Sequence, residues 1–278
     1  MTYPRILTIQ DISCVGQCSL TVALPILSAC GAETCILPSA VLSTHTGGFQ
    51  GFTFRDLTDD IPAIRAHWEK EKITFDAIYT GYLGSTRQID YVAEVFDTML
   101  GKNGRIAVDP AMADNGKLYV GFDQEYVAAM RTLCTRADVI LPNITEACLL
   151  TDTPYRETYD EAFVRELLSK LTALGAKSVV LTGVSYAPAE TGVVVWENRK
   201  LNYYCHRRLP KSFHGTGDIY SSAFVGTWMS GRTLYDAARI AANYTVECIE
   251  NTLNDPAHWY GVKFETALPE LIRIIAGA

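Results

Sequence analysis

At residues 5–10 the chain reads Arg5-Ile6-Leu7-Thr8-Ile9-Gln10, and after a turn that contains Gly16 it continues as an apolar stretch over residues 17–30. The first run is short and rich in β-branched residues, so it predicts a buried strand. The second run is long enough for a helix. A strand, a loop and a helix in this order are the repeating unit of α/β folds.

The same unit recurs as far as residue 182. Further strands are predicted over residues 33–41, 75–80, 105–109, 138–141 and 178–182. Helices are predicted over residues 60–72, 86–99 and 123–135, from about residue 145, and over residues 158–174. Each return between neighbouring strands is thus occupied by a helix that covers one face of the sheet, which favours parallel pairing. The chain is predicted to have an α/β fold with a mostly parallel sheet.

The last third of the chain departs from this alternation. Residues 191–196 and 201–206, joined by Glu197-Asn198-Arg199-Lys200, predict an antiparallel hairpin added to the sheet. Helices are predicted over residues 217–230, 234–251 and 263–276. We find no flexible linker, low-complexity tract or internal repeat of about 20 to 50 residues, so residues 1–278 are predicted to form a single domain.

Composition and charge exclude several classes of protein. The 278 residues are 48% hydrophobic and 20% charged, which is too apolar for a disordered chain. The formal net charge of −7 argues against a general binder of nucleic acid or of anionic membranes, since both need a cationic surface. A small local phosphate site is still compatible with this charge.

Two further features concern the cellular compartment. The eight cysteines lack a CxxC pair and the spacing of a zinc site, so they are predicted to be reduced and mostly buried thiols. Residues 1–6 do not resemble a secretory signal. Residues 12–32 carry no charge over a length that could span a bilayer, but polar residues and Pro25 interrupt them, which favours a buried helix. We expect a cytoplasmic protein with no membrane segment.

Polar residues follow almost every predicted strand. They are Asp11 and Ser13, His45 and Thr46, Gly81 and Tyr82, Asp109, Asn143 and Glu146, and Thr182 and Gly183. In an open parallel sheet, ligands bind beyond the carboxyl ends of the strands, so a polar ligand site is expected there. The glycine-rich residues 43–55 fit neither the helical nor the strand period and are predicted to form a flap over that ligand.

The most informative segment is Gly215-Thr216-Gly217-Asp218, which precedes an apolar helix. Two glycines allow a tight turn, so several backbone N–H groups can point at one anion at the positive end of the helix dipole. Phosphoryl transfer needs such donors together with a base that takes the proton of the attacking hydroxyl. The alternative is that Asp218 is only an acidic first-turn residue and the glycines only a loop. P-loop and GxGxxG signatures are absent from the sequence.

Six segments occur in order over most of the chain. They are Gln10-Asp11-Ile12-Ser13-Cys14-Val15-Gly16, Ser43-Thr44-His45-Thr46-Gly47-Gly48, Gly81-Tyr82-Leu83-Gly84-Ser85, Asp109-Pro110-Ala111-Met112, Pro142-Asn143-Ile144-Thr145-Glu146 and Gly215-Thr216-Gly217-Asp218. Together they resemble the pyridoxal kinase family of the ribokinase-like superfamily. The resemblance implies a three-layer α/β/α fold and ATP-dependent phosphorylation of the 5′-hydroxymethyl group of pyridoxal, pyridoxamine or pyridoxine. It also implies Mg²⁺, often a monovalent cation such as K⁺ or Na⁺, and a homodimer.

The resemblance also implies roles on the phosphate side of the site. Asp218 would be the catalytic base, and Gly215, Thr216 and Gly217 would supply amides to the migrating phosphate. Asp109 and Glu146 would act on Mg²⁺ directly or through water. Without the resemblance, Asp109 reads as a strand-end cap and Glu146 as a first-turn helix acid. Asn143, Thr182 and Gly183 would lie at the nucleotide.

On the substrate side, the resemblance places Asp11, Ser13, Thr46 and Tyr82 at the pyridine ring, with Tyr82 stacked on it. His45, considered without the family, reads as a structural loop histidine. Asp11 departs from the family, in which serine is common at this position. A carboxylate favours a cationic partner, so we expect a preference for pyridoxamine over pyridoxal.

Three rival functions stay open. Two are kinases of the same superfamily, acting on hydroxymethylpyrimidine or on a sugar, although hydroxymethylpyrimidine kinases usually carry cysteine where this chain has Asp218. The third is a non-catalytic protein that binds pyridoxal phosphate.

Overall fold

The computed structural model of the protein describes residues 3–277, in which strands and helices alternate. The strands are β1 (Arg5–Val15), β2 (Glu33–Thr44), β3 (Phe54–Asp56), β4 (Phe75–Thr80), β5 (Leu100–Val108), β6 (Ala113–Asp114), β7 (Lys117–Leu118), β8 (Val139–Ile140), β9 (Val179–Val184), β10 (Glu190–Glu197) and β11 (Lys200–Arg207). The helices are α1 (Leu20–Ala29), α2 (Ile61–Lys70), α3 (Thr86–Met99), α4 (Gln124–Cys134), α5 (Ile144–Leu150), α6 (Glu161–Ala173), α7 (Thr216–Met229), α8 (Leu234–Glu250) and α9 (Leu268–Ala276).

Within residues 3–277 nine strands form the central sheet, in the order β11-β10-β9-β8-β5-β4-β1-β2-β3. The pairs from β9 through β8, β5, β4 and β1 to β2 are parallel, as the strand and helix alternation predicts. β10 and β11 form the predicted antiparallel hairpin, and its turn residues Asn198 and Arg199 have φ of 52° and 60°. Two consecutive left-handed residues suit the right-handed twist of the flanking strands.

Helices cover both faces of this sheet. Alternate residues of β1 separate between the faces, because side chains along a strand point to opposite sides. Ile6 packs into a cluster with residues of α1, α7, α8 and α9, whereas Leu7 and Ile9 pack against residues of α2 to α6. This arrangement confirms the predicted three-layer α/β/α fold.

The boundaries differ from prediction where tertiary contacts decide them. β1 continues five residues beyond Gln10, because a register shift between Gln10 and Ile12 lets it follow β2 as far as Thr44. α1 begins at Leu20 rather than at residue 17, since Ser19 takes a left-handed φ of 54°. The short strands β3, β6 and β7 were not predicted.

The structure bears on two of the sequence predictions, the absence of a membrane segment and the state of the cysteines. Within the described residues 3–277 no helix is long and apolar enough to cross a bilayer, and the uncharged residues 12–32 divide mainly between β1 and the half-buried α1. All eight cysteines are free thiols, but only four of them are buried. The expectation of mostly buried thiols is wrong for Cys14 and Cys205, which are exposed.

Candidate active site

A cavity of about 450 Å³ lies at the carboxyl edge of the parallel strands. It brings together the residues that the sequence predicts on the phosphate side, namely Asp109, Asn143, Glu146, Thr182, Gly183, Gly215, Thr216, Gly217 and Asp218. These residues come from the ends of β5, β8 and β9 and from the first turn of α7. Parallel strands place their carboxyl ends at one edge, which is why segments so far apart in sequence meet.

The first turn of α7 is built around Gly215. This residue is in the left-handed region with φ of 77°, and a Cβ on it would lie 1.7 Å from the carbonyl oxygen of Gln17. Ile219 N–H donates to Gly215 O at 3.0 Å, which starts the helix. The N–H groups of Thr216, Gly217 and Asp218 precede this bond, so they have no acceptor within the helix. The turn therefore offers amides and a positive dipole end to an anion in the cavity.

Asp218 is held against the loop that follows β1. Its Oδ2 accepts a hydrogen bond from Ser19 N–H at 2.9 Å. Burial raises the pKa of Asp218 to about 6, while the Ser19 bond opposes the shift and the charge of Asp11 adds to it. A carboxylate whose pKa lies close to neutrality is suited to take a proton from a hydroxyl.

Asp109 is the second acid of the cavity and is only 8% exposed. Its Oδ2 accepts a hydrogen bond from Ser221 Oγ at 2.6 Å. Burial raises the pKa of Asp109 to about 7, the Ser221 bond opposes the shift, and the charge of Asp218 adds to it. The two carboxylates therefore act on each other electrostatically across the cavity.

Asn143 and Glu146 form a capping box at the start of α5. Asn143 Oδ1 accepts from Glu146 N–H at 2.9 Å, and Glu146 Oε2 accepts from Asn143 N–H at 2.8 Å. This geometry satisfies two helix-end amides reciprocally. Burial and the charge of Asp109 raise the pKa of Glu146, and its bonds to backbone N–H groups oppose the shift. Glu146 therefore has the structural role of a first-turn helix acid, while its role in binding Mg²⁺ stays a prediction.

The residues predicted on the substrate side lie outside the lining of this cavity. Asp11 is 5% exposed, and its Oδ2 accepts from Ser13 Oγ at 3.0 Å. Burial raises the pKa of Asp11, and its own charge raises the pKa of both Asp218 and Tyr82. Asp11 and Ser13 are therefore electrostatic neighbours of the first turn of α7 and of Tyr82. Thr46 lies exposed on the flap.

Tyr82 is engaged on one side by aromatic neighbours. Its ring stacks on Phe122 with centroids 5.5 Å apart and planes 28° apart, and Phe122 stacks in turn on Tyr126 at 3.8 Å. These contacts fix the orientation of the Tyr82 ring. Stacking of Tyr82 on a pyridine ring stays a prediction.

His45 ties the flap to the segment around Tyr260. Gly47 N–H donates to His45 Nδ1 at 3.0 Å, so the ring proton lies on Nε2, which donates to Tyr260 O at 2.6 Å. Phe49 packs on Trp259 with centroids 4.7 Å apart. These contacts support a structural role for His45; closure of the flap as a lid stays a prediction.

Comparison with known proteins shows the family to which the chain belongs. The sequence model of the phosphomethylpyrimidine kinase family matches residues 27–261, which is more than half of the chain. The chain belongs to this family. It is therefore a kinase, a phosphotransferase with an alcohol acceptor, and ATP is its co-substrate.

Solved structures of family members agree in fold over almost the whole chain. A candidate phosphomethylpyrimidine kinase from Bacteroides thetaiotaomicron, crystallised with pyridoxal, is 39% identical, has a TM-score of 0.91, and the match covers 97% of this chain and 96% of that one. The pyridoxal kinase from Lactobacillus plantarum is 34% identical with a TM-score of 0.91, and the match covers 98% of both chains. The hydroxymethylpyrimidine/phosphomethylpyrimidine kinase of Bacillus subtilis is 28% identical over 77% of this chain and 78% of its own length. The resemblance to the pyridoxal kinase family is confirmed.

Several residues at the family site were not predicted from the sequence. Ser221 donates a hydrogen bond to Asp109. Ser221 lies three residues after Asp218, so the helical period places both side chains on one face of α7, and this spacing could have indicated Ser221 as a site residue. Cys18 lies near Asp218 and Asp11. Burial raises the pKa of the Cys18 thiol, and the charges of these two acids add to the rise. The cavity lining also includes apolar residues that belong to no recognisable motif, namely Val193, Phe213, Ala242, Val246 and Ile249.

Proposed function

We propose that the protein transfers the γ-phosphoryl group of ATP to the 5′-hydroxymethyl group of a vitamin B6 vitamer, pyridoxal, pyridoxamine or pyridoxine. The observation that carries this proposal is the first turn of α7, where Asp218 and helix-end amides without intrahelical acceptors face one cavity. The pyridoxal in the Bacteroides thetaiotaomicron structure, at 39% identity, and the pyridoxal kinase at 34% identity support the substrate class.

The residues of the turn divide the transfer between them. The amides of Thr216, Gly217 and Asp218 would hold the transferring phosphoryl group and its developing charge. Asp218 would take the proton of the vitamer hydroxyl as its oxygen forms the bond to phosphorus. The bond from phosphorus to the departing ADP oxygen breaks at the same time. The products are the vitamer 5′-phosphate and ADP, with the proton left on Asp218.

The nucleotide would lie along the cavity. Its adenine base would pack against the apolar residues of the lining, Val193, Phe213 and the α8 residues Val246 and Ile249. Asn143, Thr182 and Gly183 line the same cavity and are proposed to contact the ribose and the phosphates. The γ-phosphate would then reach the amides of α7.

Mg²⁺ fits the acidic part of the cavity. In the part of the chain that the structure describes, no group of three or more His, Cys, Asp or Glu side chains is arranged to hold a metal ion alone. Mg²⁺ commonly keeps several waters and binds through one or two carboxylates together with substrate phosphates. Asp109 would hold the ion directly or through water, and Glu146 is the second acid predicted for it. The ion supplies charge neutralisation of the phosphates when bound. A K⁺ or Na⁺ ion stays a prediction.

The vitamer would lie on the side of Asp218 that faces Asp11 and Tyr82. Asp11 is a buried carboxylate whose charge acts on Asp218, so it is suited to a cationic nitrogen of the substrate. Ser13 and Thr46 are proposed to contact the same ring. The family resemblance implies a homodimer, which sedimentation velocity tests. The cysteine pattern favours the cytoplasm.

The second candidate is a kinase of hydroxymethylpyrimidine. The family model and the Bacillus subtilis relative favour it. The pyridoxal found in the more similar structure favours the B6 assignment. The two candidates differ in the acceptor, and Asp218, where hydroxymethylpyrimidine kinases usually carry cysteine, also favours the B6 assignment.

The deciding experiment is an ATP-consumption assay with pyridoxal, pyridoxamine, pyridoxine, hydroxymethylpyrimidine and ribose, with the products identified by mass spectrometry. We expect turnover with B6 vitamers, and turnover with the pyrimidine or the sugar alone would overturn the proposal. Asp218→Asn is expected to lower kcat about a hundredfold or more while ATP affinity stays nearly unchanged. Asp114→Asn, at the exposed rim of the same cavity, is the matched control and should stay within about threefold of wild type.

A further inference from the structure

A small hairpin forms one wall of the cavity. β6 and β7 pair antiparallel through a turn at Asn115 and Gly116, whose φ values are 49° and 77°. The hairpin follows Asp109 in the chain after only three residues. Asp114 lines the cavity of about 450 Å³ and also a neighbouring cavity of about 440 Å³. The position of this hairpin therefore shapes both cavities.

The hairpin forms a two-stranded sheet separate from the central one. An isolated two-stranded hairpin is marginally stable at best, so its position depends on what anchors it. The anchors come from the start of α5. Asn143 Nδ2 donates to Ala113 O at 2.8 Å, and Gly116 N–H donates to Thr145 Oγ1 at 3.0 Å.

Glu146 supplies the charged anchor. Its Oε1 accepts from Met112 N–H at 3.1 Å and from Ala113 N–H at 3.4 Å, while its Oε2 accepts from Asn143 N–H at 2.8 Å. The side chain is 3% exposed, so these bonds are shielded from water. Three backbone donors on one buried carboxylate are enough to fix its orientation, and hydrogen bonds to an ionised group are stronger than neutral ones.

We propose that Glu146 is a positioning residue that pins the segment from Met112 to Gly116 to the start of α5 and thereby fixes the cavity wall next to Asp109. In this role Glu146 acts through the backbone, and the role is separate from the Mg²⁺ contact that the sequence predicts for the same side chain. The effect on turnover rests on the proposed function, whereas the anchoring itself does not.

The test compares the wild type with Glu146→Gln, which keeps the shape of the side chain but turns one acceptor into an NH₂ group facing backbone donors. Hydrogen exchange of the amides from Met112 to Leu118, measured without ligands, is expected to accelerate about tenfold. ADP is the probe for the cavity. Its affinity in EDTA, where Glu146 has no metal ion to act on, should fall about tenfold.

Thr145→Val is the matched control, because it removes an anchor of the same hairpin at a residue that carries no charge. It is expected to accelerate exchange at Gly116 and to weaken ADP binding by a smaller factor than Glu146→Gln does. The ratio of its ADP affinities in EDTA and in Mg²⁺ should equal that of the wild type.

Two results would overturn the proposal. One is wild-type exchange in Glu146→Gln together with a loss of ADP affinity confined to Mg²⁺, which would make Glu146 a ligand of the metal or of its waters. The other is wild-type exchange in Glu146→Gln together with wild-type ADP affinity in EDTA. If Glu146→Gln does not fold, Glu146→Asp, whose side chain is one methylene shorter, is measured in the same way. Failure of the wild type to bind ADP would instead refute the proposed function, and the exchange measurements would still decide the role of Glu146.

Discussion

Ser221 Oγ donates a 2.6 Å hydrogen bond to Oδ2 of Asp109, which lies 112 residues earlier in the chain. Ser221 follows Asp218 by three residues, so both lie on the first two turns of α7. One helix therefore presents the proposed base and also orients the other acid of the cavity. The separation of the two carboxylates is set by this helix rather than by a loop.

Ser221→Ala is expected to lower kcat about tenfold, because Asp109 loses a charge-assisted hydrogen bond inside a buried site. Loss of that bond also raises the pKa of Asp109 further, so the acid limb of the pH–rate profile should move to higher pH. Steady-state kinetics between pH 5 and 9 measure both effects. Ser222→Ala is the control, because the Ser222 hydroxyl is buried with no hydrogen-bond partner among residues 3–277. Equal effects of the two variants would contradict the assignment.

Stability should fall as pH rises through the window in which Asp109 titrates. The native pKa of about 7 exceeds the ordinary value of 3.8, so the native state binds this proton more tightly than the unfolded chain does. The free energy of unfolding therefore loses this contribution between pH about 4 and about 7. We expect Asp109→Asn to be more stable than wild type at pH 8 by about 1 to 3 kcal/mol, with a flatter dependence on pH. Urea unfolding in EDTA measures this, and a less stable variant at pH 8 would refute the expectation.

Asp11→Ser should change the preference between vitamers. With Asp11 ionised, the aminomethyl group of pyridoxamine gains a charged partner that pyridoxal lacks, so the wild type should prefer pyridoxamine. The variant should shift the ratio of kcat/KM for the two substrates toward pyridoxal by about tenfold. Because burial raises the pKa of Asp11, the wild-type preference should grow as pH rises. Ser13→Ala, which removes a hydroxyl donor to Asp11 but keeps the carboxylate, is the control. An unchanged ratio in Asp11→Ser rules out this residue as the selector.

Gly215→Ala and Gly217→Ala should separate stability from activity. A methyl group at Gly215 would meet Gln17 O at 1.7 Å on a left-handed backbone, so this variant should lose about 1 to 3 kcal/mol of stability and nearly all turnover. A methyl group at Gly217 has no atom within 4 Å and sits in a helix, so that variant should gain about 0.5 to 1 kcal/mol. It should still lose turnover, since the methyl group lies beside the proposed phosphate site. Thermal unfolding and kinetics on both variants test the contrast.

Local patterns were sufficient to predict the regular elements and the motifs that end them. The period of the apolar residues reveals strands such as β4 and helices such as α3, and Asn198-Arg199 marks the hairpin turn. The residues after successive strands meet in the cavity because the topology is parallel. These features could be predicted because each depends on a pattern of only a few neighbouring residues.

Other parts depend on contacts between distant segments. β6 and β7 contain two residues each, and their pairing depends on the start of α5 rather than on a strand pattern. The bond from Ser221 to Asp109 also joins segments that no spacing rule connects. The apolar residues of the cavity lining likewise come from segments that are far apart in sequence. The contacts of Glu146 with Met112 and Ala113 are of the same kind, so the sequence offered a metal role but no anchoring role.

Every residue of α7 from Ile219 to Trp228 is buried, and only its first turn and its last residue are accessible. A rod enclosed on every side by sheet and neighbouring helices cannot tilt without opening the interior, so the reactive groups at its tip keep a constant geometry throughout the catalytic cycle. Adaptation to a new acceptor would therefore proceed through the loop after β1 and through the flap, where substitutions leave that fixed tip undisturbed. Relatives with different acceptors could then diverge at these loops while keeping the same backbone turn for the phosphoryl group.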